Sequence, residues 1–155
     1  MILLAHMLFG AAIGSSVHNV TLAIILALLG HYFLDMFPHI EYLESTENSV
    51  KELKKDWKKN LPKLIKVLFD FGIGIALILA FSKNQPIIYL CALIAIIPDG
   101  ITVINSLFPN KLLTKHQEIH GGPIHYLTKQ KKFSKFWKIA TQVIVVIISV
   151  TLLKF

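Results

Sequence analysis

Five runs of almost unbroken apolar residues, separated by two long polar stretches and two short turns, set the pattern of this 155-residue chain. The first run extends from Ile2 to Val17 and the second from Val20 to Phe37, with only His18 and Asn19 between them. That spacing predicts a tight helical hairpin. A polar stretch from His39 to Asn60 follows, then runs from Leu61 to Phe81 and from Ile87 to Phe108, joined by Ser82-Lys83-Asn84-Gln85-Pro86 as a second hairpin. Residues 109–135 are polar, and Phe136 to Leu153 forms the fifth run. Each run approaches the roughly 18 to 20 residues that a bilayer core requires, so the expectation is an all-α integral membrane protein of about five transmembrane helices. The organisation expected is one membrane domain, 1–155. Within it lie a first hairpin (1–38), a cytoplasmic amphipathic loop (39–60), a second hairpin (61–108), a His-containing cytoplasmic loop (109–135) and a last span (136–155).

Composition strengthens this reading, because 54% of positions are apolar and 16% charged, against about a quarter charged in ordinary soluble domains. All sixteen basic residues are Lys. The chain therefore has no planar guanidinium to grip a carboxylate or phosphate with two parallel bonds. Fourteen Lys fall into two windows, 51–66 and 111–138. Basic residues mark the cytoplasmic side of a span, which predicts a multi-pass inner-membrane protein with its amino terminus inside and its carboxyl terminus outside. A secretory signal is the alternative for the first run, but no positive segment precedes it. In the loop after the second run, Ser49-x-x-Glu52 forms a capping-box pattern, and Val50, Leu53 and Trp57 follow at helical spacing, predicting a short surface helix. The single cysteine, Cys91, has no partner in the sequence and reads as helix packing.

An offset of 64 residues places Asp70 on His6, Gly74 on Gly10 and Asp99 on Asp35. This predicts a parallel internal repeat of the two hairpins. Gly10, Gly14, Gly72 and Gly74 would allow helix backbones to approach closely.

Three acidic residues, Asp35, Asp70 and Asp99, interrupt apolar runs, where an ionisable group is costly and marks a candidate functional site. His31, Asp35 and His39 recur every four residues and so share one helix face. His116, His120 and His125 lie within ten residues of the second polar stretch. Imidazole with carboxylate is the donor set of zinc, manganese or iron, and this number of donors could hold one or two ions. The metal candidates are His6, His31, Asp35, His39, Asp70, Asp99, His116, His120 and His125, with Asp35, Asp70, Asp99 and His120 also as catalytic candidates. In His116-Gln117-Glu118-Ile119-His120 the glutamate stands one position late for the zinc-protease helix motif, so Glu118 is not read as a general base.

The residues Ala5-His6-Met7-Leu8-Phe9-Gly10, Gly30-His31-Tyr32-Phe33-Leu34-Asp35-Met36, Ile97-Pro98-Asp99 and His120-Gly121-Gly122-Pro123-Ile124-His125 together resemble the inner-membrane metal-dependent hydrolase family. They are similar to that family's early His, its His-x-x-x-Asp segment, its Pro-Asp element and its spaced His pair. Here the His pair lacks an intervening Arg, and no second acid and His closely follow Asp99. The resemblance implies membrane-embedded metal-dependent hydrolysis of a phosphoester or lipid head group at the cytoplasmic face. Membrane lipid and an anionic head group or phosphoester are then the expected partners, a homo-oligomer is an open option, and nucleic acid is not expected. Two other readings stay open: a small transporter or channel subunit with an intramembrane His/Asp proton or cation site, and a scaffold stapled by metal.

Overall fold

A computed structural model describes residues 1–40, 57–125 and 133–154. Among these residues the chain is all-helical. The helices are α1 (Leu3–Ser16), α2 (Val20–Asp35), α3 (Trp57–Phe81), α4 (Pro86–Ile94), α5 (Ile97–Leu107), α6 (Lys111–Ile119) and α7 (Lys135–Lys154), with a π-helical turn at His120–Ile124. The capping-box segment Ser49 to Glu52, with Val50 and Leu53, lies outside the described residues, and Trp57 opens α3.

Helix α1 is the centre of the bundle, packed against α2, α3, α4 and α7. Its small residues explain that position. A Cβ on Gly10 would fall on the Cys91 carbonyl and Ala95, and one on Gly14 would meet the Ile87 carbonyl at 2.9 Å, so α4 can lie on α1 only where side chains are missing. Met7, Leu8, Ala11 and Ala12 of α1 join Ile78, Ile88, Ala92 and Leu153 in the main apolar cluster, and Cys91 is buried in another with Ala23 and Ala27. Gly74 rests against the Met7 sulfur, whereas Gly72 has nothing near its missing side chain. Outward faces of α2 and α7 keep large apolar side chains exposed, among them Leu22, Leu29 and Phe33, and Phe136, Trp137 and Ile147. Exposed apolar surface of this extent marks an interaction face.

The expectation of five transmembrane helices is corrected by helix length. Among the described residues one helix, α7, is long and apolar enough to cross a membrane, or two if the bent α4–α5 pair counts as one span. Helices α1 and α2 contain 14 and 16 residues, about 21 and 24 Å at 1.5 Å per residue, short of a core of about 30 Å. The apolar run from Ile87 to Phe108 is bent by 42° between α4 and α5, where Pro98 has no N–H to offer the preceding turn. The multi-pass inner-membrane placement, the inside amino terminus with outside carboxyl terminus, and the membrane-lipid and head-group partners all rested on five crossings and are withdrawn with them.

The internal repeat is corrected as well. Helix α2 is continuous, whereas its supposed counterpart is broken into α4 and α5. Position 6 carries a buried imidazole 3.1 Å from Asp35 Oδ1, while the paired position 70 carries a carboxylate that accepts from the Leu4 backbone N–H at 2.8 Å. The 64-residue offset aligns residues that do different things.

Candidate metal centre

Asp35 is the last residue of α2, a position where the helix dipole disfavours negative charge, and it is fully buried. It is surrounded by nitrogen. Oδ2 lies 3.0 Å from His120 Nε2, 3.1 Å from His31 Nε2 and 3.2 Å from His125 Nε2. Oδ1 lies 3.1 Å from His6 Nε2 and 3.7 Å from His39 Nε2, and it also accepts from the Met1 amine at 2.5 Å. Burial alone would raise the Asp35 pKa, but the adjacent His6 and then hydrogen bonds with His120, His125 and His31 outweigh it and hold the carboxyl below its usual range.

Three local devices deliver these side chains. On α2, His31 and Asp35 are one turn apart and face the core, and Gly30 beside them makes room for the Phe9 ring of α1. On the other side of the site, residues five apart on an α-helix diverge by about 140°. The π-helical turn at His120–Ile124 removes that divergence, so His125 Nε2 comes within 3.4 Å of His120 Nε2. Finally, α7 fixes the segment that carries His39, because Thr141 donates to the Pro38 carbonyl and Gln142 to the Ile40 carbonyl.

The ring nitrogens turned away from the cluster decide the chemistry of those facing it. His31 Nδ1 lies 2.7 Å from the Ala95 carbonyl and His39 Nδ1 lies 2.8 Å from the Phe37 carbonyl. A carbonyl only accepts, so both Nδ1 atoms carry a proton and each ring directs its Nε2 at the carboxylate. A ring held this way can offer its Nε2 to a cation placed beside the carboxylate, and a backbone partner behind the ring is the usual support of a metal-ligating His. His6 stacks on His31 with ring centroids 4.1 Å apart, and its pKa is lowered to about 3 by burial, then by His31, against the opposing pull of Asp35. It is neutral near pH 7.

Two overlapping groups have ligand atoms within 4.8 Å of one another: His31, Asp35, Asp99 and His120, and Asp35, His39 and His125. Asp99, in the first turn of α5, keeps its side chain 36% exposed 3.7 Å from His31 Nε2 and forms the open edge. His116 lies at the flank, its Nε2 2.9 Å from the Tyr32 hydroxyl, and burial followed by His120 lowers its pKa. Burial and then Asp99 raise the pKa of Tyr32, so its hydroxyl keeps its proton beside His116. Asp70 lies at the start of α1, on Leu4. Two surface depressions, about 500 Å³ beside Lys111 and Glu118 and about 250 Å³ beside His18 and Lys83, are lined by no residue of either group.

Sequence spacing did not single out Tyr32 or Thr102, whose hydroxyl donates to the Pro98 carbonyl and lies 3.4 Å from His120 Nδ1. Thr102 had a signal, since it stands three residues after Asp99 and so on the same face of α5. Tyr32 had none, because its partner His116 is 84 residues away.

Fold and site together define a helical protein with buried His/Asp clusters able to hold a divalent metal ion. The chain matches no protein-family model, no curated protein and no solved structure. The resemblance to the inner-membrane metal-dependent hydrolase family is therefore corrected: four short patches agree, but no family model matches and, among the described residues, at most two spans are long and apolar enough to cross a membrane. Membrane-embedded hydrolysis of a phosphoester or head group, the transporter with an intramembrane ion site and the membrane scaffold fall with that fold.

Proposed function

We propose that this protein is a metal-dependent hydrolase whose divalent ion is held by His31, Asp35, Asp99 and His120. The observation that supports this most is the convergence of imidazole Nε2 atoms on one buried carboxylate, with His31 fixed from behind by the Ala95 carbonyl. Nitrogen and carboxylate donors suit zinc, manganese or iron. A bound ion of this kind supplies Lewis acidity and makes water a nucleophile at neutral pH.

The side chains divide the remaining work. Asp99 is the one exposed member of the group, so water and substrate reach the centre past it, in keeping with catalytic sites that leave one position open. Tyr32 sets its ring edge against both His31 and His120, with centroids 5.5 and 5.7 Å away, and its hydroxyl holds His116. The pair forms a wall that shields the imidazoles. Asp70, a catalytic and metal candidate by sequence, belongs to neither donor group and accepts from the Leu4 N–H.

The test compares chelated protein with protein reloaded with zinc, manganese or iron, against a panel of activated acyl, amide and phosphate esters. Hydrolysis should depend on metal and fall at least 100-fold in Asp99→Asn, which leaves the buried donors in place. Metal-loaded protein that hydrolyses nothing, or activity that is indifferent to chelation, would reduce the centre to a staple between helices.

A further inference from the structure

We infer that the centre holds two metal ions bridged by the Asp35 carboxylate: an exchangeable ion at the open edge and a second, enclosed ion on His39 and His125. This rests on the metal-dependent reading above and adds a second site to it.

Donor number is the first argument. Five imidazoles and two carboxylates meet here, and a tetrahedral ion takes four ligands. A single ion on His31, Asp35, Asp99 and His120 leaves His39 and His125 beside the same carboxylate. Their Nε2 atoms lie 3.7 Å from Oδ1 and 3.2 Å from Oδ2 of Asp35.

Geometry is the second. A carboxylate can be shared by two ions, and Asp35 belongs to both groups of donors, with Oδ2 toward His31, His120 and His125 and with Oδ1, which also accepts from the Met1 amine, toward His39. His39 is prepared as His31 is, with Nδ1 committed to a backbone carbonyl and Nε2 turned inward. His39 and His125 set their rings at 76° with centroids 5.1 Å apart, so their Nε2 atoms approach the carboxylate from different directions. His6 is not needed as a ligand. Its Nε2 lies 3.1 Å from Oδ1, and donation there would orient the bridging carboxylate.

The two compartments differ in exposure. Asp99 is 36% exposed, whereas His39 is fully buried and the His125 side chain is 10% exposed. The edge ion should exchange quickly and the enclosed one slowly.

The test is metal stoichiometry of the full chain after loading with zinc and gel filtration. Two equivalents are expected in the wild type, one in His39→Ala and one in Asp99→Asn, with the ion left in Asp99→Asn exchanging at least tenfold more slowly than that left in His39→Ala. One equivalent in the wild type, unchanged in His39→Ala, would overturn the second site and leave the first intact. No metal in the wild type would overturn both. If His39→Ala loses its helical circular dichroism, the manganese-loaded wild type decides by electron paramagnetic resonance: a spin-coupled pair supports the bridge, and only an isolated six-line signal overturns it.

Discussion

Asp35 and Asp70 are both buried carboxylates on helices, yet their surroundings give them unrelated work. Asp70 reaches from α3 to the start of α1, where Ile2 offers no side-chain cap, and accepts from the Leu4 N–H. An uncapped helix start presents unsatisfied donors and a positive dipole end, which favour a carboxylate placed there. Asp35 stands at the opposite kind of position, a negative helix end, and is ringed by imidazoles. Burial of an acid does not by itself make a site. What matters is whether the neighbouring donors are spent on fold or can be shared with a cation.

The largest effect that would sharpen this contrast is acid sensitivity of the metal-free protein. In the unfolded chain His6 takes up a proton as pH drops below about 6.5, whereas in the folded state it does so only near pH 3. The unfolded state binds more protons across that window, so stability should fall as pH falls from about 6.5 toward 3, by on the order of several kcal/mol. Depression of the Asp35 pKa acts in the same direction once pH drops below about 4. Urea unfolding at pH 7, 5.5 and 4 measures the slope, and Asp70→Asn should share it. A flat profile between pH 7 and 4 would deny the Asp35 cluster its special electrostatics.

Next comes support for the ligands. Thr102→Val removes the hydroxyl near His120 Nδ1 and should weaken zinc binding roughly 10- to 100-fold with little change in melting temperature. Unchanged affinity would show that His120 is oriented by packing alone. The smallest effect should be that of Asp70→Asn, which weakens a helix-start bond and costs about 1 kcal/mol in thermal or urea melts, with metal affinity unaltered. A loss of metal in this variant would join the two acids in one site and dissolve the contrast.

Much of the helical layout was legible. The runs from Ile2 to Val17 and Val20 to Phe37 coincide within two residues with α1 and α2, and Phe136 to Leu153 with α7. The meaning of those runs was not legible, because an apolar stretch reads alike for a buried helix and a span, and counting the whole run overstated how much was helix. The break after Ile94 needed Pro98 to be weighed as a boundary rather than passed over inside an apolar stretch. At the site, helical periodicity alone put His31 and Asp35, four residues apart, on one face. The five-residue spacing of His120 and His125 could not be read that way, since only a π-helical turn brings them together. Asp70 was grouped with Asp35 because sequence shows that an acid is buried but not which backbone N–H awaits it.

The central claim is that Asp35 is the shared carboxylate of a metal centre, and calorimetric titration of the metal-free protein with zinc tests it most directly. Wild type should bind with a saturable isotherm, Asp70→Asn should reproduce it, and Asp35→Asn should lose it while keeping its helical circular dichroism. Asp35→Asn that binds zinc as the wild type does, or a wild type that binds none, would contradict the account.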